Sequence, residues 1–362
     1  MSNMLVPLPF NGSVEDFKKR EPIKGYEWIT RLSNKNIYLS LFQRWPDCNL
    51  PLGYDLYIIS FHLEAVDIHW LKSQVNLISG EIIVLSDGSS NNYTLPKVRF
   101  LSYYYWHHQL NTMSQWFQHP TTKNITHKAS AFCNRITSTK LTVFTALAEY
   151  IGTDNCILVL HKWLEEKNII HDNDYVPILI RELHKIFFDK YYGNEYTIDD
   201  FNDGLNQQKY TANPWQPSYQ NCAIHFTNES FDNSDIYDKA LYSYPGPFIT
   251  EKTLKCLLGK TAFIPNGQFD TYGALSRLGF EFDYNLDLSF DAIHCDNDRL
   301  NKVVLLIKQL SSMSKEEIYT NTKDSSEYNH YYIINGEFYK HCEMLNEHTV
   351  EQVMEHIDLV TG

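Results

Sequence analysis

Apolar and polar positions alternate along the chain in blocks that predict strands and helices in turn. Continuous apolar runs, typical of strands buried on both faces of a parallel sheet, occur at 55–61, 81–86 and 98–105. A helical pattern falls between the first two runs, at 66–74. This alternation predicts a Rossmann-like α/β domain, whose site residues are expected at the carboxyl ends of its strands.

The alternation resumes after a polar, threonine-rich stretch at 116–128. The predicted elements beyond it are strands at 129–135 and 157–161, an irregular region at 165–220, and helices at 140–150, 176–188, 301–310 and 349–359. We therefore expect an N-terminal Rossmann-like domain at 1–122, a second one at 123–312 and a C-terminal helical extension at 313–362.

The segment 246–265 predicts a loop, a short helix and a buried strand. Thr250 takes the N-cap position of this helix, and Gly259 takes the position after its last turn. Such a helix start presents backbone N–H groups and a positive dipole end, which favour phosphate. Glu251 and Lys252 lie in the first turn, where a carboxylate suits ribose hydroxyls and an ammonium suits a diphosphate.

The same segment carries a resemblance to a known family. The run 248–252 (Phe-Ile-Thr-Glu-Lys), followed by a helix and a Gly-x-x-Pro-like strand, is similar to the donor-site motif of α1,3-fucosyltransferase-like glycosyltransferases. An acidic segment precedes the motif in that family, and 224–230 is its counterpart here. Three later runs resemble the tail of shorter bacterial and phage members of the family: 278–280, 289–291 and 299–300. The resemblance extends over about 125–310.

The resemblance implies the GT-B fold, in which two Rossmann-like domains face each other across a cleft. The second domain holds the nucleotide sugar, and the first domain presents the acceptor. The implied reaction inverts the configuration at the anomeric carbon and needs no bound metal. The donor-binding residues that the resemblance implies are Phe248, Thr250, Glu251, Lys252, Asn228 and Glu229, together with Lys140 or Arg135.

Two of these positions depart from the family pattern. The family's second phosphate-binding cation is an arginine at the start of a helix, and Lys140 matches it best by register. A lysine makes no bidentate phosphate contact, so Arg135 is the alternative. Phe248 stands where many relatives carry tyrosine, which removes a hydroxyl contact to the nucleotide.

The family's general base is an acidic residue in a loop that follows a strand of the first domain. Asp87 comes directly after the apolar run 81–86, and Glu64 follows the run 55–61. Asp87 also suits an Asp-Gly turn, and Glu64 suits the first turn of a helix. Both residues stay candidates for the base.

Composition narrows the classes of function. The formal net charge of −13 argues against sequence-independent binding to nucleic acid. No apolar run reaches the roughly 18 residues that span a bilayer, and the first residues lack a signal-peptide pattern, so we expect a cytoplasmic protein (host cytoplasm if phage-encoded). Seven cysteines without a Cys-x-x-Cys pair argue against a disulfide framework and a structural zinc. Asp296-Asn297-Asp298 lacks a preceding apolar strand, so we interpret it as a loop or a helix cap and expect no metal.

The sequence therefore predicts a glycosyltransferase that uses a nucleotide-sugar co-substrate and no further cofactor, with GDP-fucose as the family default. The expected acceptor is a glycan or another hydroxyl compound or, for a viral gene, a modified DNA base. A catalytically silent relative that binds glycans or a protein partner is the alternative. An unrelated nucleotide-dependent Rossmann enzyme is disfavoured, because no Gly-x-Gly-x-x-Gly or Walker-type loop is present.

Overall fold

The computed structural model describes residues 10–20, 23–32, 36–41, 49–61, 68–86, 95–105, 123–133, 138–160, 176–191, 219, 221–228, 247, 249 and 251–361. The chain divides into two compact units. The first comprises 1–112, 238–247 and 336–362, and the second comprises 113–237 and 248–335. Each unit is built on one sheet of mainly parallel strands.

The described elements follow one another in mixed α/β order. The strands are β1 (Phe10–Ser13), β2 (Ile37–Leu41), β3 (Leu56–Phe61), β4 (Glu81–Ser86), β5 (Val98–Ser102), β6 (His127–Cys133), β7 (Cys156–Leu160), β8 (Cys222–Asn228) and β9 (Ala262–Asn266). The helices are α1 (Val14–Lys18), α2 (Ile68–Leu77), α3 (Ser138–Ala146), α4 (Ile178–Ile186), α5 (Glu251–Leu258), α6 (Thr271–Arg277), α7 (Asp296–Ser311), α8 (Lys315–Ile334) and α9 (Glu337–Thr361).

The sheet of the first unit has the order β1–β2–β3–β4–β5, with β1 antiparallel to β2 and the other pairs parallel. Alternate residues of its central strands build a separate apolar core on each face. Ile58 and Leu85 pack on one face with Val353 of α9, and Ile59 packs on the other with Leu71 of α2. Burial on both faces explains why β3 and β4 are continuous apolar runs.

The sheet of the second unit has the order β7–β6–β8–β9, and every pair is parallel. The chain passes from β6 through α3 to β7 on one side and later places β8 on the other side of β6. The strand order therefore reverses between β6 and β8. In doubly wound sheets, ligands bind beside the carboxyl ends of the strands at such a reversal.

Helices cover the second sheet, and one of them holds the end of α5. Helix α5 packs on β8 and β9, and α8 packs on α5 and on the same two strands. The Leu258 carbonyl at the end of α5 lies 2.7 Å from Nδ1 of the buried His330 in α8. Helix α3 packs instead against α7 and β6.

One glycine of the second unit is required by its surroundings. Gly279 has φ 91°, and a Cβ there would lie 2.3 Å from the Tyr332 hydroxyl oxygen. That hydroxyl donates a hydrogen bond to the Leu278 carbonyl at 3.1 Å. Only glycine combines this backbone conformation with so close an approach.

The predicted α/β class with Rossmann-like parallel sheets is confirmed. The predicted strand at 98–105 ends earlier, at Ser102, after which the Tyr103 N–H bonds the Ser86 carbonyl at 2.8 Å. The predicted helix at 349–359 is confirmed as part of the longer α9, and a second long helix, α8, precedes it. No helix among the described residues is both long and apolar enough to cross a membrane.

Candidate functional site

The carboxyl edge of the second sheet gathers polar side chains from several elements. Strands β6, β8 and β9 end there at Cys133, Asn228 and Asn266, and all three residues are buried. Helix α3 begins within a few residues of the end of β6. Helix α5 precedes β9 and runs antiparallel to the strands, so its first turn also lies at this edge.

Lys140 lies in the first turn of α3 and is only 6 % exposed. Its backbone carbonyl accepts a hydrogen bond from Cys133 Sγ at 3.5 Å, which holds the turn against the end of β6. Burial raises the pKa of the Cys133 thiol to about 12, and the nearby Lys140 ammonium acts in the opposite direction. A buried lysine is uncommon in proteins because its charge needs compensation.

Lys252 lies in the first turn of α5 and is partly exposed. One helical turn later, Lys255 is buried, so the two ammonium groups belong to the same side of the helix. The backbone of Glu251 opens the helix, as the sequence predicts. Helix α5 therefore brings two lysines to the face that covers β8.

His225 reports the electrostatic character of this region. It is buried in the middle of β8, and its Nδ1 lies 2.7 Å from Ser130 Oγ on β6. Burial lowers the pKa of His225 to about 3, and the positive charges of Lys255, Lys123 and Lys252 lower it further. Three lysines therefore act on one buried imidazole, which stays neutral at physiological pH.

Two asparagines join the ends of three strands in a chain of hydrogen bonds. Asn228 Nδ2 donates to the Phe132 carbonyl at 3.0 Å and to Cys133 Sγ at 3.5 Å. Asn266 Nδ2 in turn donates to Asn228 Oδ1 at 2.7 Å. The carboxyl edge is therefore held by side chains as well as by the backbone ladder.

A small cleft opens beside this chain of amides. Its volume is about 10 Å³, and it is lined by Thr139, Pro265, Asn266, Gly267, Asp296, Arg299, Leu300 and Val303. Arg299 is buried and donates to the Gly267 and Ile293 carbonyls, at 3.0 and 2.6 Å, and to the Asp296 carboxylate. The guanidinium of Arg299 therefore has a structural role, because its hydrogen bonds hold the loop that follows β9.

Two of the family-like tail runs have structural roles here. The carboxylate of Asp291 accepts hydrogen bonds from the backbone N–H groups of Thr271 and Tyr272, both at 2.9 Å, and so caps α6. Burial raises the pKa of Asp291 to about 6, against the effect of these bonds. Asp296 is the first residue of α7 and pairs with Arg299; the N-cap position belongs to Cys295, so the interpretation of Asp296 as a helix cap was wrong. No cluster of metal-binding side chains occurs among the described residues.

Several predicted site residues lie outside the described part of the chain: Asp87, Glu64, Arg135, Phe248, Thr250 and Glu229, together with the side chain of Glu251. Of the predicted donor-binding residues, the structure places Lys140, Lys252 and Asn228 at the carboxyl edge of one sheet. Asn266 and Lys255 belong to the same region but were not predicted. The sequence could have predicted Lys255, because it follows Lys252 by three residues on the same predicted helix. No sequence pattern pointed to Asn266.

No protein-family model matches the chain, and no curated protein or solved structure is significantly similar to it. The resemblance to fucosyltransferase-like enzymes therefore stays a prediction from the motif residues.

Proposed function

We propose that the protein is a glycosyltransferase of the GT-B type that transfers a sugar from a nucleotide-sugar donor to a hydroxyl acceptor with inversion. The observation that carries the proposal is the position of Lys140 and Lys252. Each lies in the first turn of a helix, and both helices start at the carboxyl edge of the same parallel sheet. Helix N-termini with lysines at a strand-order reversal are suited to a diphosphate.

The reaction makes defined demands on such a site. The acceptor oxygen forms a bond to the anomeric carbon while the bond from that carbon to the diphosphate breaks, and the diphosphate leaves with the electron pair. Ammonium and backbone N–H groups stabilise the charge that develops on the leaving phosphate. In this proposal Lys252 and Lys140 bind the diphosphate, and Glu251 binds ribose hydroxyls.

The acceptor proton must pass to a base as the new bond forms. We assign this role to Asp87 or Glu64, which follow β4 and β3 in the chain. No metal takes part in the proposed step, since cations of the protein neutralise the leaving group. GDP-fucose is the donor that the motif resemblance favours, and the acceptor is a glycan, a small hydroxyl compound or a modified DNA base.

A thermal-shift panel tests the proposal directly. The protein is heated with GDP, UDP, CDP, ADP and dTDP, each with and without magnesium. We expect one nucleotide to raise the melting temperature selectively and without metal, because a ligand that binds only the folded state stabilises it. Failure of every nucleotide to shift the melting temperature would overturn the donor-site assignment and favour a binding-only relative.

A further inference from the structure

The orientation of the buried amides at the carboxyl edge follows from one backbone carbonyl. A carbonyl oxygen only accepts hydrogen bonds, so the group of Asn228 that faces the Phe132 oxygen at 3.0 Å must be its NH₂. The Oδ1 atom of Asn228 then faces the other way. The contact with Phe132 therefore determines which end of the Asn228 amide is presented to β9.

The orientation of Asn228 determines in turn the orientation of the Asn266 amide on β9. Asn228 Oδ1 accepts a hydrogen bond at 2.7 Å, so the group of Asn266 that faces it must also be an NH₂. Asn266 is 5 % exposed and lines the cleft beside Thr139 and Gly267. Among the described residues, Asn266 Oδ1 has no hydrogen-bond donor. The amide chain thus directs a hydrogen-bond acceptor into the cleft.

The size and position of the cleft restrict the group that this acceptor binds. A volume of about 10 Å³ is close to the minimum that holds one water molecule, so it admits a hydroxyl but no nucleobase ring. Phosphate oxygens are acceptors and do not pair with a carbonyl oxygen. Thr139, which lines the cleft, precedes Lys140 in the first turn of α3, so the cleft borders the helix start where the diphosphate is proposed to bind.

We propose that Asn266 is a ligand-binding residue whose Oδ1 accepts a hydrogen bond from a sugar hydroxyl of the nucleotide, with Asn228 as the residue that positions it. The proposal rests on the proposed function, because it requires a nucleotide at the carboxyl edge. Both the ribose and the transferred sugar carry hydroxyls near a diphosphate, and the chemistry of recognition is the same for the two.

Isothermal titration calorimetry with matched ligands tests this role. The probes are the nucleoside diphosphate selected by the thermal-shift panel, its 2′-deoxy and 3′-deoxy analogues, and the corresponding nucleotide sugar. If Asn266 binds a ribose hydroxyl, the wild-type protein should bind one deoxy analogue about 5-fold to 10-fold more weakly than the parent nucleotide. Asn266→Ala should bind that analogue and the parent equally.

If the hydroxyl belongs to the transferred sugar, the deoxy analogues should bind the wild type as the parent does. Asn266→Ala should then weaken only the binding of the nucleotide sugar. The control is Asn285→Ala, which removes an exposed asparagine of the same unit and should change no affinity. The inference would be overturned if, for each of the four probes, Asn266→Ala and the wild type had the same affinity.

Asn228→Ala separates positioning from contact. Loss of Asn228 frees the Asn266 amide to rotate, so affinity should fall less than in Asn266→Ala, and the double variant should be no weaker than Asn266→Ala alone. Full additivity of the two losses would contradict a positioning role. If Lys252→Ala loses affinity while Asn266→Ala does not, only this inference fails. If no nucleotide binds the wild type, both proposals fail.

If Asn266→Ala does not fold, Asn266→Ser takes its place, because serine is smaller than asparagine and lacks the amide. The affinities for the deoxy analogues and the nucleotide sugar are then measured for the wild type and for Asn266→Ser. Lack of discrimination among the probes by the wild type rejects a sugar-hydroxyl contact without any variant.

Discussion

The two parallel sheets differ in what their buried strands contain. In the described strands of the first sheet, the buried non-aromatic polar residues are three serines, Ser40, Ser60 and Ser86. The second sheet buries a more varied set, which consists of Ser130, His225, Thr227, Asn228 and Asn266. Buried polar groups cost free energy unless they are paired. The second sheet therefore depends more than the first on hydrogen-bond partners for its buried polar groups.

Pairing is also different in the two sheets. Ser130 meets His225, and Asn228 meets both Phe132 and Asn266, so the polar groups of the second sheet form connected hydrogen bonds. In the first sheet, Ser40 Oγ donates to Asn11 Oδ1 at 2.8 Å, whereas Ser86 Oγ is buried at the carboxyl end of β4 without a partner among the described residues. Hydrogen bonds between side chains thus link the central strands of the second sheet, and at its carboxyl edge they link Asn228 to Asn266.

The largest effect should come from the base in the first unit. If Asp87 is the base, Asp87→Asn should lower turnover by about 10²-fold to 10⁴-fold and leave donor affinity unchanged, since general-base catalysis contributes this much. Glu64→Gln should then have little effect, and the opposite result would assign the base to Glu64. Steady-state turnover and calorimetric donor affinity are measured for both variants. Unchanged turnover in both would remove the first unit from the proposed chemistry.

Lys252→Ala should weaken donor binding by about 2–3 kcal/mol, which is typical of a lost hydrogen bond to a charged group. Turnover should be lost as well, because the leaving diphosphate loses its counter-charge. Calorimetric titration with the selected nucleotide measures the affinity. The matched control is Lys323→Ala, an exposed lysine of α8 in the same unit. Equal donor affinities of the two variants would argue against a phosphate-binding role for Lys252.

The stability of the second unit should depend on His225 in acid. The pKa of His225 is about 3 in the folded protein and 6.5 when unperturbed, so the unfolded chain binds a proton first as the pH falls. This contribution to the free energy of unfolding is present above pH 6.5 and is lost between pH 6.5 and 3. By pH 5 the loss should be about 2 kcal/mol.

Denaturant unfolding at pH 7 and pH 5 measures this loss. His225→Gln should show a smaller decrease than the wild type, whereas His348→Gln, at an exposed position in the first unit, should follow the wild type. A decrease in His225→Gln as large as in the wild type would show that other groups cause the acid sensitivity.

The smallest predicted effects are changes in the free energy of unfolding when one buried serine of each sheet is replaced by alanine. Ser130→Ala leaves the buried His225 without its hydroxyl partner, so it should lower the free energy of unfolding by about 1–2 kcal/mol. Ser86→Ala removes a hydroxyl that has no partner among the described residues, and it should change stability by less than about 0.5 kcal/mol. Denaturant unfolding at pH 7 compares them. Equal losses would show that the hydroxyl of Ser86 contributes as much to stability as the paired hydroxyl of Ser130.

Local sequence patterns were sufficient to predict much of the fold. The apolar runs at β3 and β4 predicted buried parallel strands, because burial on both faces removes the polar alternation that other strands show. The start of α5 at Glu251 followed from capping preferences. The expectation of a left-handed glycine at Gly259 was wrong, because Lys260, with φ 51°, takes the positive-φ position after this helix. For the candidate site, the pattern predicted Lys252 in the first turn of a helix that precedes an apolar strand. The phosphate-binding role of Lys140 was implied only by the family resemblance.

The amino-acid sequence by itself determined the α/β class, the central strands and the positions of Lys140 and Lys252 in their helices. Only the tertiary structure decided the partners of the buried polar groups. Asn228 and Phe132 are 96 residues apart, and Asp291 caps a helix that begins 20 residues earlier. Periodicity reports which face of an element is buried, whereas the direction of an amide or a carboxylate depends on which distant atom faces it.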